Sequence, residues 1–144
     1  MKKLLILNGP NLNLLGSREP EIYGNIGFDT FLDGLRSRYF GLEIDYKQSN
    51  IEGELVDILQ WVEADEDVFG VVLNAGAYSH TSIAIADAIL AMKKPVLSVH
   101  ISNIYSRETE RRTDLLMGAV VGSISGLGLE GYELALRYLM GKMK

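Results

Sequence analysis

Phe69-Gly-Val-Val-Leu-Asn74 is apolar at every position until its last residue, so it suits burial on both faces. It reads as a strand, and the pattern on either side of it repeats. Upstream, Leu55, Ile58, Leu59 and Val62 recur at helical spacing. Before them Leu42–Gln48 reads as a second strand. Phe28, Phe31, Leu32, Leu35 and Tyr39 line one face of an earlier helix, with Gly41 suited to its C-terminus. Lys3–Asn8 is a short apolar run closed by Asn8-Gly-Pro10, a buried strand and its stop. Downstream, Thr81 or Ser82 can cap a helix that runs to about Ala91. Pro95–His100 is a fourth strand and the glycine-flanked Ala119–Ile124 a fifth. Leu129, Tyr132, Leu136, Leu139 and Met143 line a last helix, and only Asn103–Met117 breaks the alternation.

Apolar strands separated by amphipathic helices imply a parallel sheet covered on both sides. Five such units in 144 residues predict a flavodoxin-like three-layer α/β sandwich, strand order 2-1-3-4-5. With no linker, repeat or low-complexity segment, residues 1–144 are expected to form a single domain.

Composition narrows the function. Hydrophobic residues are 47% and charged residues 23%, an ordinary globular balance. A net charge of -5 disfavours nucleic acid and anionic membrane surfaces as partners, while leaving room for a small anion held by local cations. Having no cysteine, the chain lacks disulfides, thiolate metal sites and thiol nucleophiles, which fits a reducing cytoplasm. Leu4–Leu7 is too short an apolar run for a signal peptide, and no stretch approaches the roughly 20 apolar residues of a membrane helix.

In sheets of this class ligands bind beyond the carboxyl ends of the strands. Asn8, Asn74 and His100 end strands one, three and four, and His80, the other histidine, follows Asn74 closely. The segment from Asn8 to Gly24 far exceeds the roughly 2–6 residues usual between strand and helix. It carries Arg18 and Tyr23 between Gly16, Pro20 and Gly24, the composition of a closing loop. Each of these residues also has a purely structural use. The asparagines suit turns, the histidines suit element ends, and Arg107, Arg111 and Arg112 suit a solvated face. Trp61 suits core or interface packing.

Other chemistries of this fold fit poorly. A phospho-acceptor site needs acidic residues after strand one and an aspartate ending strand three, where Asn8 and Asn74 stand. A dinucleotide site needs a tight glycine turn directly after strand one. No His/Asp/Glu cluster has metal spacing, and no serine sits on a nucleophile elbow.

Several runs resemble the type II 3-dehydroquinate dehydratases, in order and spacing from end to end of the chain. They are Leu7-Asn-Gly-Pro-Asn-Leu-Asn-Leu-Leu-Gly16, Arg18-Glu-Pro-Glu-Ile-Tyr-Gly24, Gln48-Ser-Asn-Ile-Glu-Gly-Glu-Leu55, Leu73-Asn-Ala-Gly-Ala-Tyr-Ser-His-Thr-Ser82, Val99-His-Ile-Ser-Asn103 and Gly126-Leu-Gly-Leu-Glu-Gly-Tyr132. The resemblance implies a flavodoxin-like fold and elimination of water from 3-dehydroquinate to 3-dehydroshikimate through an enolate, in the shikimate and quinate pathways. It makes Tyr23 the base, Arg18 the lid cation that helps Tyr23 ionise, and His100 the acid. Asn11 would hold the enolate through a water. Asn74, His80, Ile101, Ser102 and Arg111 would bind substrate, and Asp87 would reach a neighbouring subunit's site. No cofactor or metal is required, and the family commonly assembles as a dodecamer of trimers.

These residue types suit the reaction. A proton alpha to a ketone is weakly acidic, so its removal needs a placed base and a stabilised enolate. Free tyrosine titrates near ~10, and a neighbouring guanidinium favours the phenolate. Hydroxide leaves poorly without an acid, a part that a histidine such as His100 can play. The Ile101 and Ser102 N–H groups, with the Ser102 hydroxyl, suit a carboxylate. The chain departs from the family at Ser98, where the usual glutamate steadies the acid histidine, and at Ala86, Glu110 and Thr113–Gly118. Two other readings share the fold: a metabolite-binding or assembly protein without efficient chemistry, and a flavin-binding domain.

Overall fold

The structure is a computed structural model that describes residues 1–15 and 27–143. Five parallel strands form one sheet in the order β2-β1-β3-β4-β5, as the pattern predicts. They are β1 Lys3–Asn8, β2 Glu43–Gln48, β3 Val68–Asn74, β4 Val96–His100 and β5 Gly122–Ser125. Four helices connect and cover them: α1 Phe28–Arg38, α2 Glu52–Ala64, α3 Ile83–Leu90 and α4 Glu130–Met140.

Strand alternation divides the core into two. Leu4 and Ile6 of β1, Val72 of β3 and Leu97 and Val99 of β4 face α1 and α4, where they meet Leu32, Leu35, Leu136 and Leu139. Leu5 and Leu7, Val71 and Leu73, and Val96 face α2 and α3 through Leu55, Leu59, Ile85 and Ile89. α1 and α4 are tied further by Arg38 and the Tyr39 hydroxyl, both bonded to Glu133, and by Phe28 against Tyr132 with ring centroids 4.9 Å apart. Ser82 caps α3, its hydroxyl accepting the Ile85 N–H at 2.9 Å.

The fifth strand begins three residues later than its apolar composition suggests. The Ala119 and Val120 N–H groups both turn back to the Leu116 carbonyl, and only at Val121 does the chain bond to β4, at Val96. β5 is paired on one side only, and its Gly-Ser-Ile-Ser sequence carries little of the apolar signal of a central strand. The last helix ends at Met140, short of Met143.

β1 and β3 run in register, with Asn8 opposite Asn74, so both asparagines reach the same sheet edge. Beyond them the two turns touch. A Cβ on Gly9 would stand 2.5 Å from the Ala75 carbonyl oxygen, and Gly76 adopts φ 59° against the Pro10 carbonyl. The glycines of Asn8-Gly-Pro10 and Asn74-Ala-Gly76 therefore let two strand ends approach closely, and that approach forms the floor of a cleft.

Candidate active site at the carboxyl edge of the sheet

The cleft at this edge is lined by Pro10–Leu12 after β1, by Asn74, Gly76, Ala77 and His80 from β3 and its turn, and by His100, Ile101, Ser102, Ile104, Arg107 and Arg111 from β4 and the segment after it. Asn11, Asn74, His80, His100, Ile101, Ser102 and Arg111, expected at a site from the sequence, are thus brought together. Asp87 lies elsewhere, exposed on α3. Arg18 and Tyr23 fall outside the described residues.

Each residue is held by bonds that the local sequence makes possible. Asn11 takes a left-handed backbone, φ 67°, which asparagine tolerates better than most residues. Its N–H donates to Asn50 Oδ1 at 3.0 Å. Gln48 Nε2 donates to the Gly9 carbonyl and to Asn50, so the end of β2 braces the loop after β1.

Beneath the cleft floor the Tyr132 hydroxyl donates to Asn8 Oδ1 at 2.7 Å and accepts from Asn74 Nδ2 at 2.8 Å. Asn74 Oδ1 accepts the Gly76 N–H. Burial pushes the Tyr132 phenol far above its usual range, so it stays protonated and bridges the two strand ends. Asn8 therefore has the structural use open to it in the sequence, whereas Asn74 both lines the cleft and serves the bridge. Tyr132 read as one more core-facing helix residue, and nothing in the spacing marks its hydroxyl.

The two histidine rings stack with centroids 6.0 Å apart and planes 23° apart. His80 Nδ1 lies 2.6 Å from the Thr113 carbonyl, so Nδ1 carries the proton. His100 Nε2 lies 3.1 Å from Asp114 Oδ2, with the two side chains only 6% and 3% exposed. Burial pushes the Asp114 carboxyl up, but bonds from His100 and the Leu116 N–H, and the nearby histidines, outweigh it and hold it below the ordinary carboxylate value. Asp114 was missed in the sequence because it lies in the stretch without periodicity. Ser98 sits two residues before His100, fully buried, and its hydroxyl has no hydrogen-bond partner among the described residues.

Arg107, also lining the cleft, donates from Nη1 to Ser102 Oγ at 3.3 Å. Arg111 Nε donates to Glu108 at 2.5 Å. The sequence left Arg107, Arg111 and Arg112 open to a solvated face. The short 3-10 turn Thr109–Arg112 brings Arg111 to the cleft with Arg107, while Arg112 stays exposed. The Ile101 and Ser102 N–H groups donate to no described residue. Two guanidiniums, free N–H groups and a hydroxyl on one wall suit an anionic oxygen cluster. Among the described residues no group of three or more His, Cys, Asp or Glu side chains could hold a metal ion, and no helix is long and apolar enough to cross a membrane.

Fold and cleft together define a flavodoxin-like protein whose cleft, at the sheet's carboxyl edge, holds a carboxylate-paired imidazole and two arginines. A model of the family described as "Dehydroquinase class II" matches residues 2–140. The 3-dehydroquinate dehydratase of Mesorhizobium japonicum is 48% identical over 146 aligned positions, covering 99% of this chain and 100% of that protein. That of Endomicrobium trichonymphae is 43% identical, covering 99% and 100%. The crystal structure of the type II dehydroquinase from Propionibacterium acnes superposes with a TM-score of 0.91 at 42% identity, covering 98% of this chain and 97% of that one. The chain belongs to the dehydroquinase class II family, a family of hydro-lyases.

Proposed function

We propose that the protein eliminates water from 3-dehydroquinate to give 3-dehydroshikimate through an enolate, with Tyr23 as base and His100 as acid. The observation that carries this reading is the convergence of His100, Asn11, Ser102 and Arg111 on one cleft in a chain of the dehydroquinase class II family. The Ile101 and Ser102 N–H groups, the Ser102 hydroxyl and the arginines hold the substrate carboxylate and ring hydroxyls. Tyr23, ionised with the help of Arg18, takes the proton alpha to the ketone, and Asn11 steadies the enolate through a water. His100 then protonates the departing hydroxyl. The proton taken by Tyr23 and the one given by His100 are restored through solvent, so water and the conjugated enone are the net products.

Asp87 is exposed on α3, outside its own chain's cleft. Its proposed role belongs at the cleft of a second copy, within a dodecamer of trimers. The residues 1–144 act in this reading as one catalytic domain in the cytoplasm.

The test is to mix the purified protein with 3-dehydroquinate and follow the ultraviolet absorbance of the enone. Turnover is expected, resistant to borohydride because no imine forms, and unaffected by chelators. Tyr23→Phe and Arg18→Ala are each expected to lower kcat by about 10²–10⁴-fold, the usual worth of a placed acid or base. A Tyr23→Phe variant that kept most of its rate would remove tyrosine from the role of base.

A further inference from the structure

His100 ends β4 with its ring almost wholly enclosed, and one of its nitrogens is already engaged. Nε2 stands 3.1 Å from Asp114 Oδ2. The carboxylate is itself anchored, since Oδ1 accepts the Leu116 N–H at 2.9 Å. Leu116 is fully buried in the core formed with α2 and α3, and the Leu115 N–H bonds to the Ser79 carbonyl in the turn before α3. Asp114 is thus clamped to the core on one oxygen and to the imidazole on the other. Among the described residues His100 is its ion-pair partner, whereas the cleft arginines Arg107 and Arg111 lie against Glu108. On β4 itself the residue two positions before His100 is Ser98, whose buried hydroxyl bonds to nothing described and offers no charge.

We propose that Asp114 is a positioning residue for His100: it keeps a proton on Nε2 and leaves Nδ1 as the nitrogen that works on the substrate. This rests on His100 being the acid of the dehydration. A carboxylate accepts only, so the ring nitrogen beside it is an N–H in every state of the cycle. The acid proton must then leave from Nδ1. As the enolate collapses, its electron pair forms the ring C=C bond and the bond from carbon to the hydroxyl breaks. The Nδ1 proton joins the departing oxygen as water. His100 remains a neutral imidazole with Nε2–H still donated to Asp114, and Nδ1 regains its proton from solvent. The carboxylate arrives from the segment after Arg111 rather than from β4, so the irregular stretch 103–117 supplies both the anion-binding wall and the orientation of the acid.

Asp114→Asn is the informative variant, because the amide oxygen still accepts the Leu116 N–H and the fold is kept. Its NH₂ would donate to Nε2 and so favour the opposite tautomer. The expected kinetic result is a kcat lower by about 10–100-fold, the usual effect of losing a carboxylate that orients a histidine, with KM changed less than about twofold. The second readout is ¹⁵N ring resonances of the two histidines in protein without substrate. At a pH where the ring is neutral, His100 should carry its proton on Nε2 in the parent and shift toward Nδ1 in Asp114→Asn. Failure of the parent to turn over 3-dehydroquinate would remove the functional reading, and the tautomer measurement would still decide the contact. A parent His100 protonated on Nδ1 with Nε2 bare, a tautomer unmoved by Asp114→Asn, or a variant with undiminished kcat would each overturn the proposal.

Discussion

Tyr132 does at the scale of one side chain what the sheet does at the scale of the fold: it brings Asn8 and Asn74 to a fixed separation. Its hydroxyl is wholly buried and serves as donor to one asparagine and acceptor to the other. Tyr132→Phe keeps the ring and removes both bonds, leaving Asn8 Oδ1 and Asn74 Nδ2 short of a partner. Each stranded buried group costs about 1–3 kcal/mol. For the two groups together urea unfolding should show a loss of about 2–6 kcal/mol with an unchanged slope, and a loss below about 0.5 kcal/mol would mean that other groups had taken up the bonds. The residue scale is where the sequence was least legible. Asn8, Asn74 and His100 were found because strand ends are legible from hydrophobic runs, and a run has to stop at a polar residue; His80 was found because it follows Asn74 closely. Tyr132 and Asp114 were not, because their roles depend on bonds across the chain that periodicity does not encode. The shortage of a carboxylate at Ser98 was visible, but the one that answers it lies sixteen residues further on in a stretch without pattern.

Among elements, the contact that matters most is that between the turns after β1 and β3. Gly9 donates its N–H to the Asn74 carbonyl at 2.7 Å, and a Cβ there would meet the Ala75 backbone at 2.5 Å. Backbone cannot swing aside as a side chain would, so Gly9→Ala must part the strand ends. Overpacking of this kind typically costs about 1–3 kcal/mol. Thermal unfolding should fall accordingly, and substrate affinity should weaken with it because Asn11 and Asn74 are displaced together. A variant with the parent's Tm and KM would show that the turns have slack. The order of elements was legible in the sequence because central strands and amphipathic helices announce themselves through period. β5 was misplaced by three residues for the converse reason: a one-sided edge strand of Gly, Ser and Ile has no apolar run to mark where it starts.

For the molecule as a whole, acidity is a useful probe. Asp114 has a lowered carboxyl pKa in the folded chain, and so do Asp65, Glu108 and Glu133. A carboxyl depressed on folding stabilises the fold fully above its unfolded value, near ~3.9 for aspartate. That contribution disappears as pH falls through the lowered folded value. Asp114 is the most enclosed of these groups, so its share is the least screened by solvent. Asp114→Asn is expected to lie below the parent in stability at pH 6 and to approach it as pH falls below ~4. Urea midpoints across that range check this, and parallel curves would assign Asp114 no linkage to folding. The surface also carries Trp61, 65% exposed. Of the two uses the sequence left open for it, core packing is removed.

The bridge through Tyr132 spans 124 positions of the chain, and this has a bearing on how the protein comes into being. On the ribosome the first strand and its asparagine emerge long before the hydroxyl that locks them in place, 124 positions further on. Nascent chains that stop short of α4 should therefore own every cleft residue and still lack the cleft, so binding competence is acquired in a single late step rather than by degrees.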